Sequence, residues 1–288
     1  EAKSENAFDL DQDIASGGSV RDGAFTKNTY NLDSEYKIDE NTEVRFQAGQ
    51  VDGKGMEILP QLFLSDSASK EMRYAQATVL KNTDFGLAKI NTYHNRASTA
   101  LVTAKLNVLQ AENLFQSDAN NTYRVGAEYR NSETTGDLVS STGGDVKTEL
   151  MGVSAMWEHK ATDKLTLTNS LRFDHLTVEK SDDQVAGDAL SADKFDQTFD
   201  DYSFNTGAIY KLTAEDSLRF SAGRGLHLPS VAEMAGDYTS FPGLEFAGNP
   251  ELKPEVLWSA EVGYTKLLPK MQGKFKATVF YQYFEEYL

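Results

Sequence analysis

The chain has 288 residues, with 44 acidic against 28 basic side chains and a formal charge of −16. That excludes a general nucleic-acid binder, which needs a basic face. The absence of cysteine excludes a disulfide frame, a thiolate metal site and a cysteine nucleophile.

Mean hydropathy is −0.49, and no stretch approaches the ~18 apolar residues of a spanning helix. A transmembrane β-barrel alternates lipid-facing and lumen-facing residues and averages out just as low. In chain order, a short polar turn at Lys37–Thr42 is followed by a long polar segment, Val51–Lys70, and a short turn at Asn82–Asp84. Gly86–Gln116 is the least regular stretch, because Asn, Lys and Ala blur both faces. After the turn Ser117–Asn121, the run Thr122–Arg130 sets Tyr123, Val125, Ala127 and Tyr129 against Arg124, Gly126, Glu128 and Arg130. A long segment, Asn131–Lys147, and a turn at Ala161–Asp163 come next. In Lys164–Asp174, Leu165, Leu167, Leu171 and Phe173 oppose Thr166, Thr168, Ser170, Arg172 and Asp174.

The segment Lys180–Gln197 is again long, the turn Thr213–Asp216 short, and the segment Gly225–Pro254 the longest. Val256–Thr265 and Lys274–Tyr283 alternate in the same way across the turn Pro269–Gly273. Period-two alternation identifies half-buried strands. The runs cover about 9 to 14 residues, roughly twice the usual strand, and number about twelve. Short turns at one end and long loops at the other describe an up-and-down antiparallel sheet in a membrane barrel. A soluble sandwich or propeller alternates too. Against it stand the strand length, an apolar face rich in Ala, Tyr and Leu that suits lipid, and an opposite face of Arg, Glu, Asp, Asn and Lys that suits a wet lumen.

Catalytic chemistry has little support. The four histidines, His94, His159, His175 and His227, show no metal-ligand spacing, and there is no Gly-x-Ser-x-Gly elbow. No enzyme, no resident metal and no cofactor are expected. In or beside the longest loop stand Arg224, His227, Met234, Asp237 and Tyr238.

Two segments carry a resemblance. Gly223-Arg224-Gly225-Leu226-His227-Leu228-Pro229-Ser230-Val231-Ala232-Glu233 precedes Asn249-Pro250-Glu251-Leu252-Lys253-Pro254-Glu255, which leads into a strand with Glu261, Gly263 and Tyr264. This resembles the C-terminal half of the barrel of TonB-dependent outer-membrane receptors, where a G-R-G-F-R-x-P-S-x-x-E strand end precedes N-P-x-L-K-P-E and a strand ending E-x-G-Y. Physically, Pro250 and Pro254 withhold amide donors and fix the backbone, so Asn249, Pro250, Leu252, Lys253, Pro254 and Glu255 form a stiff lead-in to a strand. They are read as markers of the fold rather than ligand contacts.

The resemblance implies an all-β, transmembrane antiparallel barrel in the bacterial outer membrane, with residues 1–288 as one portion of about 12 of roughly 22 strands and with the plug domain outside it. It implies active uptake driven by TonB acting through that plug, with outer-membrane lipid as surroundings and a metal chelate as ligand, most commonly a ferric siderophore. It also implies Arg224, His227, Met234, Asp237 and Tyr238 as candidate ligand contacts. Haem receptors carry Phe-Arg-Ala-Pro where this chain has Leu226-His227-Leu228-Pro229, which disfavours haem. His and Met near the rim suit copper as an alternative, since imidazole and thioether groups bind it well. A passive porin-like barrel without a plug is the other alternative.

Overall fold

The computed structural model describes residues 2–4, 25–59, 64–140, 144–181, 190–241 and 244–285. A three-residue strand, β1 (Ala2–Ser4), pairs with β2 (Phe25–Lys37), and the sheet then continues strand by strand in chain order. Its members are β3 (Thr42–Leu59), β4 (Leu64–Thr83), β5 (Gly86–Ser98), β6 (Thr103–Asp118), β7 (Asn121–Thr135), β8 (Asp145–Lys160), β9 (Leu165–Ser181), β10 (Gln197–Lys211) and β11 (Asp216–His227). A short helix, α1 (Val231–Ala235), and a separate hairpin, β12 (Asp237–Phe241) with β13 (Leu244–Ala247), interrupt the sequence before β14 (Glu255–Leu268) and β15 (Gly273–Glu285) complete the sheet. All pairings are antiparallel. The main sheet has 13 strands, of which twelve are long. The alternation predicted this all-β, up-and-down architecture and its strand number.

The short turns are closed by side chains that replace ladder bonds. Asp39 Oδ1 accepts from the Asn41 amide at 2.7 Å and Asp118 Oδ1 from the Asn120 amide at 2.7 Å. Thr162 Oγ1 accepts from the Leu165 amide at 3.0 Å. These are Asx and Ser/Thr turns, in which a side-chain oxygen mimics a backbone acceptor. Gly86 takes a φ of 109° to begin β5, a conformation that a side chain would strain.

One expectation needs correction. Val51–Lys70 is not a long loop: β3 runs to Leu59 and β4 starts at Leu64, in continuous register. Asp52, Gly53, Lys54, Gly55, Glu57, Ser65, Asp66, Ser67 and Ser69 hide the alternation in the sequence, while the backbone pairing continues through them. The β5–β6 connection, Thr99–Val102, is also a tight turn, although it lies at the long-loop end.

Register separates the two faces. One carries polar side-chain bonds among residues of five strands, β4, β5, β6, β7 and β9. Gln76 donates to Asn91 at 2.8 Å, Asn91 to Gln110 at 3.1 Å, and Gln110 to Glu128 at 2.8 Å. Arg130 donates to Glu128 at 2.9 Å, and Arg172 pairs with Asp174 at 2.6 Å. The other face exposes Phe46, Leu109, Tyr129, Phe173, Phe220 and Val262. Rings cluster on it at two levels. Near the short turns, Phe115 stacks on Tyr123 at 5.3 Å and Trp157 on His159 at 5.2 Å. Toward the other end, Phe204 meets Trp258 edge-on at 5.9 Å. An apolar band bounded by aromatic girdles, opposite a polar interior, is the wall of a membrane barrel.

Candidate functional site

The buried apolar core lies among the long connections rather than between sheet layers. Val139, Val146, Leu150, Leu176, Val178, Leu190, Phe195, Met234 and Ala235 form one cluster, with Phe199, Leu228, Val231 and Leu252 packed against it. Residues from the β7–β8, β9–β10 and β11–β14 connections thus form a folded cap on the strand ends.

The cap is organised by α1. Ser230 is its N-cap: the Glu233 amide donates to Ser230 Oγ at 3.2 Å, and the Ser230 amide donates to Glu233 Oε2 at 2.7 Å. This reciprocal capping box satisfies two otherwise orphaned amides. The Glu233 carboxyl is held below its ordinary value, chiefly by the Ser230 amide. The Asn249 amide then donates to the Glu233 carbonyl at 2.9 Å, and Asn249 Oδ1 accepts from the Glu251 amide at 3.0 Å. Gln197 Nε2 donates to the Pro250 carbonyl, and Leu252 packs on the cap core. Lys253 is exposed. Pro254 reaches the cleft described below, and Glu255 is buried.

The candidate ligand residues do not converge. Met234 is 4% exposed within the cap core. His227 lies at the end of β11 opposite Glu255, with Nδ1 3.3 Å from Glu255 Oε2, and its side chain is 64% exposed. The Asp237 amide donates to the Leu138 carbonyl at 2.9 Å, which anchors the hairpin. Tyr238 pairs with Phe246 through its backbone, and its side chain lies outside the described residues. Arg224 is opposite Phe204 and Trp258, on the apolar face. Its guanidinium lies 4.4 Å from the Tyr202 ring centroid and 5.9 Å from that of Trp258, and it pairs with Asp201 at 2.7 Å. Among the described residues no three His, Asp or Glu side chains are grouped as a metal would require.

Beneath the cap, a cleft of about 330 Å³ opens on the polar face. It is lined by Glu128, Arg130, Arg172, Asp174, Asp201 and Ser203 and by the apolar Phe199, Leu226, Leu228 and Pro254. Arg172 lies 3.7 Å from Glu128 as well as bonding to Asp174. Charged groups fixed by one another, set among apolar side chains, suit a ligand with an apolar body and a few polar handles. Alternation places Arg130, Glu128, Arg172 and Asp174 on the polar face. Their meeting across β7, β8 and β9 depends on register, which the sequence does not display. The sequence reading missed the capping box, whose local signal is the Ser-x-x-Glu spacing of Ser230 and Glu233.

Strand length, girdles, polar interior and capped loop end define a transmembrane barrel of the outer-membrane type. The chain matches the family described as TonB dependent receptor-like, beta-barrel over residues 4–288, and it belongs to that family. Proteins of this family are barrels of the Gram-negative outer membrane, and this chain is assigned there with them. No curated protein sequence matches the chain.

Similar solved structures are the siderophore receptor PirA from Pseudomonas aeruginosa (14% identity, TM-score 0.65, covering 86% of this chain and 43% of that one) and the copper transporter OprC (13%, 0.70, 89% and 44%). The siderophore receptor PirA from Acinetobacter baumannii is similar over 98% of this chain and 46% of its own, at 13% identity and a TM-score of 0.68. The chain thus spans less than half of each of these proteins, and at such identities the likeness concerns the fold.

Proposed function

We propose that this chain is part of an outer-membrane receptor that takes up a scarce metal chelate, a ferric siderophore, with energy supplied by TonB acting through a plug held in the barrel. On this reading residues 1–288 are one portion of the barrel and carry transport rather than catalysis. The observation that carries the proposal is the cleft under the cap. It lies on the polar face at the long-loop end, and it combines ion-paired groups with apolar side chains in one lining. Its volume falls at the lower end of ligand pockets, which run from about 300 to 1,000 Å³, so a chelate would fill it only together with surfaces contributed by the plug. Arg130 and Arg172 supply the donors for carboxylate, catecholate or hydroxamate oxygens, and Leu226, Leu228 and Pro254 cover the chelator's carbon frame. Copper as the ligand would require Met234 to leave the cap core, where it is buried, so the ferric chelate is preferred.

The test is ligand binding to the full-length receptor in detergent, followed by tryptophan fluorescence. Probes are the ferric complexes of a catecholate and of a hydroxamate chelator, and copper(II). The reading requires saturable binding of a ferric complex that is lost in Arg172→Ala. Binding of copper alone, or binding indifferent to Arg172, would overturn it.

A further inference from the structure

One register row crosses the apolar face near its long-loop end. Pairing places Gln50 opposite Arg73, Arg73 opposite Arg96, Arg96 opposite Lys105, and Lys105 opposite Glu133. Residues directly opposite in antiparallel strands share a face. Three cations therefore stand side by side on β4, β5 and β6, in a chain whose formal charge is −16. Like charges directly opposite destabilise a sheet, so the row needs anions.

Two of the three have one. Arg73 pairs with Glu71, and Lys105 Nζ lies 2.7 Å from Glu133 Oε1. Arg96, between them, has no ion-pair partner among the described residues, and its Nε is buried without a hydrogen-bond partner. An unmet guanidinium donor between two further cations is a site for an oxyanion, which arginine binds in forked geometry.

The surroundings name the source of that anion. On the same face, the apolar band begins four residues along β6 from Lys105, at Leu109, which is about 13 Å at the strand rise. There a groove of about 490 Å³ runs over the small residues Ala111 and Ala127 between Leu109, Tyr129, Met151 and Phe173. The cations, on β4 to β6, and the groove, on β6 to β9, meet at β6, so on a wall that meets lipid they match a phosphate headgroup whose acyl chain runs obliquely into the groove, and the long arginine and lysine stems reach the headgroup level.

We propose that Arg73, Arg96 and Lys105 bind the phosphate of an outer-membrane lipid whose acyl chain lies in the groove over Ala111 and Ala127. The inference stands apart from the identity of the transported ligand.

Native mass spectrometry of the full-length receptor released from detergent tests it, with dioleoyl phosphatidylglycerol and dioleoyl phosphatidylcholine as matched probes. The wild-type protein is expected to bind the anionic lipid about tenfold more tightly than the zwitterionic one, since a charge-assisted contact is worth about that factor. Arg73→Gln with Arg96→Gln should abolish the preference. Lys147→Gln, in the same row but paired with Asp145 at 2.8 Å, should leave it intact, and Ala127→Leu should weaken both lipids by filling the groove. Equal binding of the two lipids by the wild-type protein would overturn the proposal, whatever the variants do. So would an unchanged preference in the double variant, or displacement of phosphatidylglycerol by millimolar inorganic phosphate, which would make the site one for free phosphate.

Discussion

Arg224 binds Asp201 through both arms of its guanidinium, Nη1 to Oδ1 at 2.7 Å and Nη2 to Oδ2 at 3.2 Å, where the ladder between β10 and β11 ends. The last register pair of those strands is Phe204 with Arg224. Beyond it β10 continues pairing with β9 as far as Gln197, and β11 with β14 as far as His227. Arg224 Nη1 also donates to the Tyr202 carbonyl, so the side chain supplies a donor where the ladder no longer does. The Gly-Arg-Gly sequence is in this way a latch at the root of the longest loop.

Removing that latch should cost more than an ordinary surface ion pair. The Arg224 side chain is 10% exposed and lies between two rings, and truncating one partner of a well-shielded pair leaves the other charge uncompensated. Arg224→Ala is expected to lower barrel stability by about 2–4 kcal/mol. Arg224→Lys should recover only part, because an ammonium cannot reproduce the fork. Urea unfolding in detergent micelles measures both. A loss under about 0.5 kcal/mol, the scale of exposed pairs, would refute the latch.

The assignment of faces makes a paired prediction on the same strand. Phe220 is opposite Ala208 and Val262 and is 45% exposed, whereas Ser221 is opposite Gly207 and Glu261. Phe220→Arg should destabilise the barrel by about 2–4 kcal/mol, since an arginine on the lipid face near mid-bilayer costs that much. Ser221→Arg should change stability little, as its guanidinium would enter the polar interior beside Glu261. Equal losses at the two positions would show that β11 has no lipid-facing side.

The strands were legible because alternation is a local property. Leu165, Leu167, Leu171 and Phe173 separate from Arg172 and Asp174 on inspection, and the structure keeps them on opposite faces. What lay beyond the sequence depends on long-range register. Arg172 meets Glu128 two strands away, and the row Arg73, Arg96 and Lys105 exists only once β4, β5 and β6 are aligned. Met234 illustrates the other limit. In a polar loop a methionine reads as exposed, but the connections fold onto one another and bury it against residues such as Val139 and Phe195. Lys253 remains a residue for which the structure gives no contact role beyond its exposed place in the lead-in to β14.

The capping box makes the cap sensitive to acid. Glu233 is shifted downward from an ordinary value of 4.5, first by the Ser230 amide and then by the Ser230 hydroxyl. A lowered folded value means that the stabilisation is complete above the ordinary glutamate value and is lost as the pH falls through the folded one. The protection of the Val231–Ala235 amides, taken relative to the intrinsic exchange rate at each pH, should therefore be greatest at neutral pH and fall on acidification below about pH 4.5. Glu233→Gln should flatten this dependence, and Ser230→Ala should raise exchange at every pH, by about 1 kcal/mol of local stability. Exchange in α1 that responds to acid identically in the wild type and in Glu233→Gln would place the titrating group elsewhere.

Met234 separates a packing role from a metal-binding one. Its side chain fills the cap core beside Ala235, which is wholly buried. Truncation to alanine leaves a cavity, and such changes cost about 2–5 kcal/mol in a well-packed site. Because the cap is a local core, Met234→Ala should appear as protease sensitivity of the loops with the barrel transition unchanged. Met234→Leu conserves volume and should cost less than about 1.5 kcal/mol while removing the thioether. A packing role thus predicts that Leu rescues the cap and any chelate binding, and that His227→Ala, on an exposed side chain, changes neither. A copper-binding role predicts the reverse order: Met234→Leu and His227→Ala would both abolish copper binding while the cap stayed protease resistant. Limited proteolysis and copper titration on the same three variants decide between them.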